Sequence, residues 1–144
     1  MNWDYIAGLF DGEGSVSIAF HKSLKIEVKI SSSSEEFRKA IRSFLKDSDI
    51  VSRSWSEQVK LGTTGGVSIA SWEDTTKFIK EIEDKIVEKK EKVRIFKKAL
   101  VLHNTLKEKG DKIVDHFPEF DAIRKELHKT SKKGKKELVD WDYS

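Results

Sequence analysis

Apolar and polar positions alternate along this chain with two different periods, and the switches between them mark out its elements. Trp3, Ile6, Leu9 and Phe10 recur at helical spacing over residues 3–14, where Gly12 and Gly14 end the segment. The run Ser15-Val16-Ser17-Ile18-Ala19-Phe20-His21 then alternates strictly, with Val16, Ile18 and Phe20 on one face. After a turn near Lys22-Ser23, Leu24, Ile26, Val28 and Ile30 alternate with Lys25, Glu27 and Lys29. Two such strands predict a hairpin with one apolar and one polar face.

Ser33 with Glu36 reads as a capping box for a helix over about 34–46, whose apolar stripe is Phe37, Ala40, Ile41, Phe44 and Leu45. A second strand pair follows, from Ile50 to Leu61, through a GTTGG turn at 62–66, to Val67-Ser68-Ile69-Ala70. Its register is contested. Val51, Arg53, Trp55, Glu57 and Val59 compete with the all-polar set Ser52, Ser54, Ser56, Gln58 and Lys60, and the polar set is assigned outward. Ser71 is placed as the cap of a further helix through Trp72, Phe78, Ile79, Ile82 and Ile86. A lysine-rich passage at 85–92 leads into an apolar helix ending at Gly110, so the pattern allows one long helix or two with a bend near 88–90. Helical spacing resumes over 119–128 after Pro118, and TSKKGKKE beyond it is too polar to pack.

The order helix, hairpin, helix, hairpin, helices predicts an α+β layer. Helices gather on one face of a four-stranded antiparallel sheet, and the other face is left open for a partner. At 144 residues the chain reads as a single domain, with a core over about 3–108, a helical extension over 111–130 and a basic tail over 130–144.

Charge changes this picture only locally. There are 28 Lys and Arg against 25 Asp and Glu, a formal charge of +3, so contact with a polyanion depends on how the charge is distributed. Residues 124–136 hold seven Lys or Arg and one Glu, which suits flanking phosphates, with Lys132 and Lys133 as the contacts. The absence of cysteine excludes disulfides, zinc-thiolate sites and thiol nucleophiles. No apolar stretch reaches membrane-spanning length and no secretory signal is visible, which predicts an intracellular protein without a membrane partner. His103 and His116 show no metal-ligand spacing and read as ordinary helix and loop residues.

The segment with the most chemistry is YIAGLFDGEGSVSI, residues 5–18. Gly8 and Gly12 lie four apart on one helical face, flanked by Ala7 and Leu9, and small residues at that spacing let two helix backbones approach closely. Pairing such helices across a two-fold axis would bring the Glu13 carboxylates together, where a divalent cation must neutralise them. Hard oxygen ligands select magnesium or manganese.

The same segment resembles the LAGLIDADG homing endonucleases in its acid positions, its glycines and the strand that follows. The resemblance implies the αββαββα core, double-stranded DNA as partner and site-specific, metal-dependent hydrolysis of phosphodiesters. One copy of the motif implies a homodimer acting on a long, near-palindromic target, with cuts across the minor groove that leave short 3′ overhangs. It makes Glu13 the metal ligand, with the Gly12 carbonyl beside it, and Asp11 the structural acid. It also implies a supporting lysine near the start of the helix after the sheet, where Lys89 aligns best and Lys92 or Lys85 are alternatives. Where the family often carries a glutamine at the end of the second strand, this chain has Ser31. Base contacts are implied for Ser17, Ala19, His21, Lys25, Glu27 and Lys29, and for Arg53, Ser54, Ser56, Gln58 and Lys60 of the second hairpin. A non-cleaving relative that binds DNA as a regulator, or intron RNA as a splicing maturase, is the competing expectation.

Overall fold

The computed structural model describes residues 1–131 of the chain. It places helices on one side of a four-stranded antiparallel sheet, in the αββαββα order with further helices at the C-terminal end. Helix α1 (Trp3–Glu13) is capped by Asn2, whose side-chain oxygen accepts from the Tyr5 N–H at 2.9 Å. It buries Ile6, Ala7 and Phe10. The helix passes into strand β1 (Gly14–His21) with no intervening loop. Gly14 makes this possible, because a Cβ there would collide with the ring and carbonyl of Phe10.

Strand β2 (Ser23–Ser31) returns after the single residue Lys22, which takes a positive φ of 66°. Ser15 pairs with Lys29, Ser17 with Glu27 and Ala19 with Lys25 on one face, while Val16 pairs with Val28 and Ile18 with Ile26 on the other. This first hairpin is as the alternation predicts. Helix α2 (Glu35–Asp47) is capped by Ser34, which accepts from the Phe37 N–H at 3.2 Å, one residue later than the capping box suggests.

The second hairpin departs from the sequence reading in two ways. Strand β3 (Arg53–Val59) and strand β4 (Gly62–Ile69) are joined by only Lys60 and Leu61, so the glycine-rich segment is strand rather than turn. Gly65 and Gly66 are there for close approach: a Cβ on Gly65 would lie 2.5 Å from the Trp55 carbonyl oxygen, and one on Gly66 would lie 2.5 Å from that of Ile30. The faces of β3 are also reversed. Lys29 pairs with Ser68 and Ser68 with Arg53, which puts Arg53, Trp55 and Glu57 on the open face. Ser54 pairs with the core residue Val67 and turns toward the helices, with Ser56 and Gln58 on the same side.

The physical reason is a buried arginine. Arg38 of α2 is only 5% exposed, and it donates to Ser54 Oγ at 3.0 Å and to the Ser32 carbonyl at 3.0 Å. A guanidinium packed under the sheet needs polar partners there, and the inner face of β3 supplies them.

The sheet order β1-β2-β4-β3 leaves β1 and β3 at the edges. Helix α3 (Trp72–Ile82) is capped by Ser71, which accepts from the Asp74 N–H at 3.0 Å. The chain then breaks before helix α4 (Lys90–Lys109), so the lysine-rich passage separates two helices, and α3 stops short of Ile86. Gly110 ends α4 with a φ of 72°. His103 stacks on Trp72 with ring centroids 3.9 Å apart, tying α4 to α3. After a short 3-10 turn (Ile113–His116), helix α5 (Phe117–Lys129) begins with Pro118 in its first turn. It packs on α4 and along β1.

Candidate active site and nucleic-acid interface

The end of α1 is fixed by one carboxylate. Asp11 accepts from the backbone N–H groups of Val87 at 2.7 Å, Glu88 at 3.1 Å and Lys89 at 2.9 Å. These donors belong to the segment that leads into α4, so Asp11 caps a turn from 76 to 78 residues away. Lys89 answers by donating its ammonium to the Asp11 carbonyl at 2.8 Å. The C-terminal end of α1 and the N-terminal end of α4 are thus clamped together, each terminus meeting the charge that its dipole favours.

Partial burial pushes the Asp11 carboxyl upward. The N–H groups of Val87, Lys89 and Glu88 and the Lys89 charge outweigh it and hold the group below the ordinary aspartate value. A depressed folded value means that the charge contributes stability above the unfolded pKa, and that this is lost as pH falls through the folded one. Asp11→Ala should therefore cost about 2 kcal/mol at neutral pH by the scale of lost helix caps and charged hydrogen bonds. The gap to the parent chain should narrow below about pH 4. Urea unfolding at several pH values measures both.

Glu13 comes two residues after Asp11, at the last turn of α1, and it is exposed. Among the described residues its carboxylate has no hydrogen bond or ion pair. Gly12 is exposed beside it. No group of three or more His, Cys, Asp or Glu side chains that could hold a metal forms among the described residues. One chain therefore offers a cation a single free carboxylate and a neighbouring carbonyl. That donor set fits a hard cation only if further oxygens come from outside the chain.

The three candidate lysines separate. Lys89 lies against the end of α1. Lys85 pairs with Asp4 at 3.1 Å, at the opposite end of the same helix. Lys92 lines a pocket of about 400 Å³ beside the start of β1, together with Lys89, Ser15, Ser17, Arg124 and His128. Arg124 and His128 were not singled out from the sequence. Helix α5 brings them in by lying along the edge strand: Phe117 stands against Phe20 with ring centroids 4.8 Å apart, and His128 shares the pocket with Ser15. Arg124 is set by a pairing with Asp121 at 2.7 Å.

The remaining expected positions divide by face. Ser17, Ala19, His21, Lys25, Glu27, Lys29, Ser31 and Arg53 lie on the open face of the sheet. Ser54, Ser56 and Gln58 face the other way and Lys60 is in the turn. Trp55 and Glu57 occupy the open-face places that the sequence reading assigned to Ser54, Ser56 and Gln58. On α1, Gly8 and Gly12 are exposed in line with Tyr5, which is 50% exposed, and these three form one uncharged stripe. Ala7 is 1% exposed and packs inside the chain rather than on that stripe. Lys132 and Lys133 lie outside the described residues.

Residues 3–83 match the sequence profile of the LAGLIDADG-like domain. The chain belongs to the LAGLIDADG family. No curated protein matches it in sequence. Solved structures carry the family resemblance through the fold. An archaeal intron-encoded homing endonuclease, I-Vdi141I, complexed with DNA, superposes with a TM-score of 0.72 at 20% identity, over 95% of this chain and 88% of that one. The homing endonuclease I-CvuI, bound to DNA that is not cleaved in the presence of 2 mM Mg, gives 0.71 at 8% identity, over 95% and 86%. I-SmaMI, bound to uncleaved DNA in the presence of calcium ions, gives 0.63 at 17% identity, covering 100% of this chain but 54% of the other. The LAGLIDADG chain described here is thus close to the full length of the first two and about half the length of the third. Among its described residues no helix is long and apolar enough to cross a membrane.

Proposed function

We propose that this LAGLIDADG chain is a homodimeric, site-specific endonuclease that hydrolyses phosphodiester bonds in both strands of a near-palindromic DNA duplex. The observation that carries this reading is the isolation of Glu13. The neighbouring Asp11 is fully engaged with the start of α4, while the Glu13 carboxylate is exposed and unpaired among the described residues, beside the start of β1. A sequence that needed only a helix end there would not spend a clamp of four hydrogen bonds on holding it still.

The glycines of α1 support the two-fold arrangement. Among the described residues nothing lies within 4 Å of a Cβ added at Gly8 or Gly12, so no contact there requires them. Glycine within a helix costs about 1 kcal/mol relative to alanine, and an external helix packed closely on the stripe accounts for that cost. Two such helices related by a two-fold axis bring two Glu13 carboxylates together and complete the oxygen set that one chain lacks. Glu13 and the Gly12 carbonyl would hold magnesium or manganese. That ion, when bound, would lower the pKa of a water and stabilise charge on the leaving oxygen. The chain's own residues orient the substrate: Lys89 and Lys92 present cations at the start of α4, with Arg124 of α5 across the pocket, where a strand of phosphates would pass. The polar rows of β1 and β2 face the bases.

The test is incubation of the protein with a randomised duplex library, with magnesium and with calcium in its place. Discrete products with 5′-phosphate ends and short 3′ overhangs, formed in magnesium only, are the expected result. Specific capture of duplex without cleavage in either metal would make the protein a DNA-binding regulator. Selective binding of structured intron RNA instead would make it a maturase.

A further inference from the structure

Trp55 is the large side chain that the reversed face of β3 delivers to the open side of the sheet. It belongs to an edge strand, yet it reaches two strands across: the Lys29 ammonium on β2 lies 5.5 Å from the centre of its ring. The intervening strand makes room. Gly66 of β4 pairs with Trp55, and a Cβ at Gly66 would sit 3.2 Å from Trp55 Cζ2. The indole crosses β4 where there is no side chain, and it is half-buried on a strand whose other residues are exposed.

Lys29 is held from its other side as well. The Glu27 carboxylate lies 3.3 Å from its ammonium, and the two side chains remain 44% and 33% exposed for Lys29 and Glu27 respectively. A lysine in solvent samples many rotamers, and ordering it on contact reduces affinity. Here the ring and the carboxylate order it beforehand. Trp55 Nε1 is enclosed and has no hydrogen-bond partner among the described residues, so the indole offers a base no hydrogen-bond donor.

The ordered couple has a specific complement. In the major groove a G·C pair presents N7 and O6 as acceptors on guanine and the N4 amino group as a donor on cytosine. An ammonium beside a carboxylate matches that edge: the lysine donates to N7 and O6, and the glutamate accepts from N4. We propose that Trp55 is a positioning residue for base recognition, holding Lys29 beside Glu27 so that the two side chains together read one G·C pair in each half of the target. This rests on the reading of the open face as the DNA-binding surface.

The test is selection of bound sequences from a randomised duplex library, with calcium in place of magnesium so that cleavage plays no part. It compares the parent protein, Lys29→Met, Trp55→Leu, Trp55→Phe and the Lys29→Met/Trp55→Leu double variant. Gly66 is not a useful target, since a Cβ there also strikes the Ile30 carbonyl oxygen at 2.5 Å. The parent should enrich G·C at one position per half-site, and Lys29→Met should lose that preference. Trp55→Leu should weaken it at the same position by about tenfold and leave the others unchanged, by the scale of one well-made base contact. Trp55→Phe, which keeps an aromatic face, should retain most of it, and the double variant should lose no more than Lys29→Met. An unchanged preference in Trp55→Leu overturns the proposal, as does an equal loss at every position accompanied by a lower melting temperature. Enrichment of no sequence by the parent protein overturns the DNA-reading function itself. That outcome is visible in the parent arm alone and so is distinct from failure of the Trp55 step.

Discussion

Glu13→Gln should abolish metal-dependent DNA cleavage and leave the folded chain as stable as before. The stability half follows from the structure. Glu13 is exposed and makes no hydrogen bond or ion pair among the described residues, and surface substitutions of that kind usually stay within about 0.5 kcal/mol. The activity half follows from the donor set. Glutamine keeps the length and one oxygen but brings no negative charge, and a divalent cation without its carboxylate loses most of what holds it. Metal assistance is worth several kcal/mol in the transition state, so the rate should fall on the order of a thousandfold. Binding to the target should persist or tighten, because a carboxylate near the phosphates is removed. Single-turnover cleavage, metal-free binding and thermal unfolding of the variant measure the three parts. Cleavage at the parent rate would move the metal site away from α1. A large drop in melting temperature would make Glu13 a structural residue.

The contrast between Glu13 and Asp11 shows what sequence could and could not supply. Both acids are legible in IAGLFDGEG as a pair at the end of a helix. The family resemblance implies different roles for them, but the partners of Asp11 cannot be read from the sequence, because they are backbone groups from 76 to 78 residues further on. No local pattern encodes such a contact. The first hairpin was legible in full, since β1 and β2 keep a period of two with their large apolar residues inward. The second was not. Trp55 and Val59 read as inward by hydrophobicity, but the space under β3 is occupied by the Arg38 guanidinium, which bonds Ser54. A buried charge on the neighbouring helix inverted the usual rule, and its own placement in the α2 pattern gave no warning. The glycines at 65 and 66 misled for a related reason: glycine more often marks a turn, whereas here it marks a close approach of backbone and ring. The pocket beside β1 was half visible. Lys89 and Lys92 were implied by the family resemblance, but Arg124 and His128 arrive through the path of α5 along the sheet edge, which periodicity alone does not give.

Gly8→Leu separates the fold of the chain from its assembly. In the chain alone the change should be stabilising. None of the described residues lies within 4 Å of an added Cβ, the position is exposed, and leucine is a better helix former than glycine by about 1 kcal/mol. In a two-fold helix pair the same side chain would enter the space that the partner backbone needs. Overpacking of a close contact costs about 1–3 kcal/mol, and a symmetric interface carries the change twice. The variant should thus unfold at a higher temperature at low concentration, yet sediment as a monomer at concentrations where the proposed dimer of the parent should form, and lose double-strand cleavage with it. Opposite signs from one substitution are hard to obtain by any route other than an interface on that stripe. A parent chain that stays monomeric with target DNA bound would remove the two-fold axis and leave the glycines unexplained. A variant that dimerises normally would move the axis to another face of the chain.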